Sequence, residues 1–185
     1  PFMSKIKGNW RAIAPYSQRE VIDFPRYGKG GVYWFNTVEA LTVADTFPQL
    51  KTIITKFGSV PDYYNRLTWM MARLPKAILS NPQLIESVAK ISYRMTQATD
   101  PKTGVGIAMR IAIDGARNGE PAQYISTFEH EDTAYCAGCG TGAIAQLILS
   151  NRLTKPGVWP VEQALSTELF EETLSQRQLK IKQSH

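Results

Sequence analysis

The stretch Tyr124–Asn151, YISTFEHEDTAYCAGCGTGAIAQLILSN, leaves the chain few ways to fold. Its opening, Tyr124–Glu129, sets β-branched and aromatic residues at alternate positions, the pattern of a strand. Three acidic residues and His130 follow within Glu129–Asp132. Cys136-Ala-Gly-Cys-Gly140 then reads as a small-residue turn, and Ala143–Leu149 as an apolar run at helical spacing. Strand, polar corner, glycine turn and helix together build many α/β sites. The corner presents side chains, and the helix N-terminus offers unpaired N–H groups to an anion. The plainer reading is a connection whose glycines only permit close packing, and spacing alone leaves both open.

The flanking sequence supplies more antiparallel signals. Gly104–Asp114 (GVGIAMRIAID) is expected as a long strand, and Asn118-Gly119 as a turn signal inside a slightly longer hairpin loop that closes it onto the strand at Tyr124. Earlier in the chain, Arg19–Phe24 and Val32–Phe35 read as strands joined by the turn Pro25–Gly31, with Lys51–Phe57 as a third. Asn36 with Glu39 has the spacing of a capping box for a helix over Thr37–Phe47. Pro61 and Asp62 suit the first turn of a helix running to about Arg73. Asn81-Pro82 starts another, with Leu84, Ile85, Val88, Ile91 and Met95 on one face, ending before Asp100-Pro101. Thr167 is expected to cap a last helix through Gln176, followed by a short strand at Leu179–Ile181. Pro1–Ser17 shows no clear period. Hairpins separated by helices predict one α+β domain with a mainly antiparallel sheet.

A length of 185 residues suits one well-buried domain, and the net charge of +5 is scattered, without a basic stripe interleaved with aromatics. Nucleic acid is therefore a poor partner. No apolar run reaches membrane-spanning length and no signal-peptide pattern opens the chain. Two cysteines three positions apart cannot staple a fold, which points to a reducing, cytoplasmic compartment. The first residue is Pro1, so the chain reads as a piece of something longer or a processed product.

The motifs exclude more than they include. Gly104-x-Gly106 lacks the third glycine of a dinucleotide fingerprint, and Gly28-x-Gly30-Gly31 precedes a strand where a helix is needed. There is no phosphate-loop lysine and no GxSxG. Cys136-x-x-Cys139 is half a zinc site or a redox pair, but His130 is the only nearby histidine and His185 sits in the tail. Two small, partly buried thiols are the favoured reading, with no metal. A polar-aromatic group remains: Tyr33, Trp34, Phe35 and Asn36 at a strand end, Tyr63, Tyr64, Asn65 and Arg66 early in a helix, and His130, Asp132 and Thr133 at the corner. An arginine at a helix start can grip a carboxylate bidentately while aromatics wall a pocket. Equally, Tyr33 and Phe35 can face one side of a sheet with Trp34 on the other, leaving Arg66 a surface cation.

The runs GVYWFNTVEALT, TIITKFGSVPDYYNR, HEDTAYCAGCGTGAIAQLILSNRLTKPGVWPVEQAL and LFEETLSQRQLKI resemble the C-terminal domain of saccharopine dehydrogenase-like proteins, from about Gly8 to Ile181. That family includes saccharopine reductase and carboxynorspermidine dehydrogenase. The pattern departs from the usual one at Trp159, which separates Gly157-Val158 from Pro160-Val161-Glu162. The resemblance implies a mixed sheet with helices on one face, like the C-terminal domain of glyceraldehyde-3-phosphate dehydrogenase. It implies a substrate-binding and dimerisation domain, a homodimer, and NAD(P) held by an N-terminal Rossmann domain outside this chain. Hydride would pass between the nicotinamide and a carbon–nitrogen centre of an amino-acid-derived substrate. Arg66 and Arg11 would orient carboxylates, with Asn65, Tyr63, Asn36, Trp34 and Thr133 beside them, and His130 would transfer a proton. The competing readings are a non-catalytic dimerisation or regulatory module, and a small zinc or thiol-redox protein on the CAGC segment.

Overall fold

Two turns with positive φ at consecutive residues organise the strands. Lys7 (φ 51°) and Gly8 (φ 82°) join β1 (Phe2–Ile6) to β2 (Asn9–Ile13), and Asn118 (φ 55°) and Gly119 (φ 87°) join β6 (Ile107–Arg117) to β7 (Glu120–His130). Positive φ at both central residues is the type I′ geometry, whose twist matches that of paired strands. A computed structural model describes residues 1–184; His185 lies outside the described residues. The protein is α+β, as expected, but in place of one mixed sheet its named strands form three separate antiparallel sheets of two, three and three strands.

The chain divides into two compact units, Pro1–Gly104 and the remainder from Val105. In the first, β3 (Glu20–Phe24) pairs with β4 (Gly28–Trp34), and β4 pairs with the two-residue β5 (Lys56–Phe57). The β1–β2 hairpin arises in a stretch without obvious period. The expected strand at 51–57 shortens to β5 because its partners alternate. Gly8 N–H donates to Lys51 O and Ile53 N–H to Lys5 O, while Phe35 N–H turns to Thr55 O, so no single ladder continues.

The helices of this unit are α1 (Glu39–Thr46), α2 (Tyr63–Met71), α3 (Lys76–Leu79) and α4 (Pro82–Thr103). Asn36 does not cap α1. Ala40 N–H bonds to Thr37 O, so the chain turns first and the helix starts at Glu39 with Val38 at its cap. Asn81 does cap α4, its Oδ1 accepting from Gln83 N–H at 3.0 Å and Leu84 N–H at 3.4 Å. That helix outlasts its expected end. Pro101 removes one donor in the last turn, but Gly104 N–H still reaches Asp100 O at 2.8 Å. The core of the unit gathers Phe2, Tyr16, Val32, Tyr33 and Trp34 against Ala40 and Ala44 of α1.

In the second unit, β6, β7 and β8 (Ile181–Ser184) form one antiparallel sheet in that order. Eleven consecutive residue pairs join β6 to β7 without a bulge, from Ile107–His130 to Arg117–Glu120. The expected glycine turn at 136–140 is not a turn. Asp132 Oδ1 accepts Tyr135 N–H at 2.8 Å, and α5 runs unbroken over Thr133–Leu149. A strong cap and continuous i→i+4 bonding outweigh the helix penalty of about 1 kcal/mol per glycine. Then come α6 (Val161–Ala164) and α7 (Thr167–Gln176), the latter capped by Ser166 rather than Thr167. The end of α5 is tied to α7 by Arg152, in the turn after α5, which reaches both carboxylate oxygens of Glu172 at 2.7 and 2.6 Å, and by Arg177 at the C-cap of α7, whose Nη2 donates to Gln146 Oε1 at 2.7 Å.

Candidate functional site

In the first unit, α2 presents Arg66, Trp69 and Met70 along one face, at the i, i+3, i+4 spacing that makes helix neighbours. With Tyr33 of β4 they line a cavity of about 340 Å³. Its walls are aromatic and aliphatic, and its charged group is the Arg66 guanidinium. Among the described residues that guanidinium makes no hydrogen bond or ion pair. Tyr33 is held in place by stacking on Tyr16 at 4.9 Å, with ring planes 11° apart. Trp69 is held by the Arg73 guanidinium, 3.7 Å from its ring centre, whose Nη1 also donates to Trp69 O at 2.9 Å. The depression is open to solvent, with Arg66, Trp69 and Met70 all exposed and Tyr33 buried at its floor, and it offers apolar surface beside one group able to fix orientation. A free guanidinium in such a setting takes a carboxylate or another planar anion, by two parallel hydrogen bonds.

Asn65, expected beside Arg66 as a ligand, points the other way and is wholly buried. Its Oδ1 accepts from Tyr16 Oη at 3.0 Å and Ser59 N–H at 2.8 Å. Its Nδ2 donates to Ser59 O at 2.9 Å, Asp62 Oδ1 at 3.0 Å and Gly31 O at 3.3 Å. No donor or acceptor capacity is left for a substrate. Trp34, 4% exposed, is likewise core, its Nε1 donating to Gln18 Oε1 at 2.8 Å. Tyr63 packs on Tyr64 with ring centres 4.5 Å apart, and the hydrogen bond between the two pushes its phenol up, with burial adding. Asn36 lies exposed beyond the end of β4, and Arg11 lies on β2 opposite Ser4. None of Asn36, Tyr63, Trp34 or Arg11 lines the cavity. Sequence reasoning singles out Arg66 and Tyr33 but misses Trp69 and Met70, whose signal is their spacing from Arg66 on one helix face.

The corner residues belong to the second unit. His130 Nδ1 lies 3.0 Å from the backbone nitrogen of Asp132 and 3.1 Å from its carbonyl oxygen, accepting from the one or donating to the other according to its tautomer. The ring stacks on Tyr135 at 5.3 Å. Thr133 donates its hydroxyl to Val105 O at 2.8 Å and so ties the start of α5 to the residues before β6. Cys136 and Cys139 lie inside α5 as free thiols. Burial, with Cys139 and Asp132 adding, pushes the Cys136 thiol up, and contact with Cys139 raises Tyr135. A low thiol pKa marks a reactive cysteine, and Cys136 has the opposite. Arg66 and His130 therefore fall in different units, Arg66 in a cavity and His130 in a strand-to-helix corner.

No helix among the described residues is long and apolar enough to cross a membrane. Two comparisons with known proteins find no match: neither a protein-family model nor a curated protein aligns with the chain.

Proposed function

We propose that the chain is the substrate-binding and dimerisation part of a saccharopine dehydrogenase-like, NAD(P)-dependent oxidoreductase of the cytoplasm. The nicotinamide cofactor would sit on a separate Rossmann domain of the parent protein. The observation that supports this reading is the Arg66 guanidinium, exposed and without a hydrogen bond or ion pair among the described residues, beside the apolar surface of Tyr33, Trp69 and Met70. A substrate made of two amino acids joined through nitrogen offers carboxylates to the arginine and methylene chains to the aromatic wall. Arg66 would hold one carboxylate and so orient the carbon–nitrogen centre toward the nicotinamide.

The test is calorimetric titration of the chain with saccharopine, and of Arg66→Lys in parallel. Saturable binding is expected, weakened about ten-fold (about 1.4 kcal/mol) by the lysine, which cannot reproduce a bidentate grip. The same titration with NAD(H) and NADP(H) is expected to be flat, since no glycine-rich βα turn is present to seat a pyrophosphate. Equal binding by both proteins would make Arg66 a surface cation without a role in the substrate grip. Tight binding of a nucleotide would overturn the domain assignment.

One observation favours a second reading, a non-catalytic dimerisation or regulatory module: Arg66 is the single charged residue among the four that line the cavity. Absence of binding by any N-linked amino-acid pair would select that reading.

A further inference from the structure

Strand β6 is the edge of its sheet, and it is an unusual edge. The type I′ turn makes Arg117 and Glu120 the hydrogen-bonded pair that closes the hairpin, so the odd-numbered residues of β6 direct their backbone groups to β7. The even-numbered ones, Ala108, Arg110, Ala112, Asp114 and Ala116, direct theirs outward. Among the described residues no backbone group bonds to them from that side. Natural edges are kept short or protected by lysine, proline or a bulge. Here eleven residues run without lysine, proline or a bulge, their only charges being Arg110, Asp114 and Arg117, with Met109, Ile111 and Ile113 about half exposed on one face.

The chain also leaves more surface uncovered than folded protein of its size does. Its accessible area is 13134 Å². Two independent globules of the sizes of the two units would together expose only about 10,700 Å². The excess is ample for one side of a standard protein interface, about 800 Å² per partner.

We propose that two copies of the chain join through the outer edges of β6, antiparallel about a two-fold axis at Ala112, to make one continuous six-stranded sheet. The sequence around Ala112 is complementary to itself. Arg110 and Asp114 lie two residues to either side of it on the same face, so each Arg110 stands directly opposite Asp114 of the other copy, twice. Ile111 meets Ile113 on the opposite face, and Ala108 meets Ala116. Opposite charges directly across a strand pair are favourable and like charges are not. Centring on Arg110 would set arginine against arginine, and centring on Asp114 aspartate against aspartate. Centring on Ile111 or Ile113 leaves both charges facing alanine. The register at Ala112 alone forms both ion pairs, and it is a hydrogen-bonded register for the outward-facing residues. Arg110 makes no hydrogen bond or ion pair within its own chain among the described residues, while Asp114 Oδ1 accepts from Gln123 Nε2 at 2.6 Å and keeps Oδ2 for a second copy. The proposal rests on the homodimer in the functional reading above and not on the oxidoreductase assignment.

The test uses the full chain with Cys136→Ser and Cys139→Ser as background. Ala112→Cys places two thiols across the axis, where the Cα separation of a hydrogen-bonded pair, about 5.5 Å, lies within disulfide range. Mild oxidation should convert the dimer to a covalent one. Ala108→Cys should not cross-link, since eight residues of strand separate it from its own copy. As a second arm, Arg110→Asp and Asp114→Arg singly should each weaken the dimer about ten-fold, from two lost pairs and added repulsion, and the double reversal should restore it. Light scattering and circular dichroism are read alongside each variant. A dimer by scattering that neither cross-links in the Ala112→Cys variant nor responds to charge reversal overturns this interface and leaves the homodimer standing. A monomer at micromolar concentration overturns both.

Discussion

Tyr16 Oη donates a hydrogen bond to Asn65 Oδ1 at 3.0 Å across 49 residues of sequence, and Asn65 in turn ties together three segments of the first unit. Through Ser59, Asp62 and Gly31 it fixes the start of α2 to β4, and so it sets where Arg66, the next residue, projects. Burial raises the Tyr16 phenol, in keeping with an interior role.

Asn65→Ala leaves Tyr16 Oη, Ser59 N–H and two carbonyls without their partner in a site water does not reach. The expected loss is about 2–4 kcal/mol, the range for breaking a buried polar network. Urea unfolding followed by tryptophan fluorescence measures it. A loss within about 0.5 kcal/mol would mean that water replaces the amide.

Gly58 is expected to be irreplaceable. A Cβ there would be driven into the backbone carbonyl oxygen of Gly31, which has no rotamer with which to yield. Gly58→Ala should destabilise by about 1–3 kcal/mol, the usual penalty of overpacking. Gly115→Ala is the control, since a methyl group at 115 meets nothing within 4 Å.

The glycines inside α5 behave in the opposite way. A Cβ at Gly138, Gly140 or Gly142 meets no atom within 4 Å. Each Gly→Ala change should therefore stabilise the chain, by about 0.5–1 kcal/mol. Thermal melts of the three single variants check this, and a lowered melting temperature would show that another surface packs against the bare helix.

These elements differ in how far the sequence discloses them. Asn81 and the Asn118-Gly119 turn are legible because a cap and a type I′ turn are decided by a few adjacent residues. Lys7-Gly8 makes the same kind of turn, yet lysine does not advertise positive φ as asparagine does, and β1 and β2 stay hidden in the sequence. At 136–140 the glycines suggest a turn, whereas one side chain, Asp132, has already committed the backbone to a helix. Asn65 and Arg66 look equivalent as polar neighbours at a helix start. What separates them is the approach of Gly31, 34 residues away from Asn65, which buries one and leaves the other at a cavity. Contacts of that range are not written in local spacing.

Acid should loosen the joint between α5 and α7. The Arg152 guanidinium, hydrogen-bonded to Glu172, holds its carboxyl below the usual range, and Gln176 adds to this. A lowered folded pKa gives stability that is present above the unfolded value and lost as pH falls through the folded one. The stability of the chain is therefore expected to drop below about pH 4.3, the ordinary glutamate value. Glu172→Gln should flatten that part of the profile measured by urea unfolding. The exposure of both partners keeps the effect small and sensitive to salt.

Cys136 should react slowly. With its pKa raised by burial, less of the thiol is ionised at pH 8 than in an unfolded chain, so a disulfide reagent should label it more slowly than in denaturant. A rate matching the denatured rate would show the thiol to be open and ordinary.

The unprotected edge of β6 also bears on how this protein survives in a crowded cell or a concentrated tube. A long row of free backbone donors and acceptors beside isoleucines is a template for any extended chain, not only for the right one. During synthesis, before a second copy arrives, it would draw chaperones or seed inclusion bodies. Charge-reversal variants that block self-pairing but leave the edge open should for that reason yield less recoverable protein when overproduced, whereas Ala112→Lys, which blocks self-pairing and also repels other chains, should not.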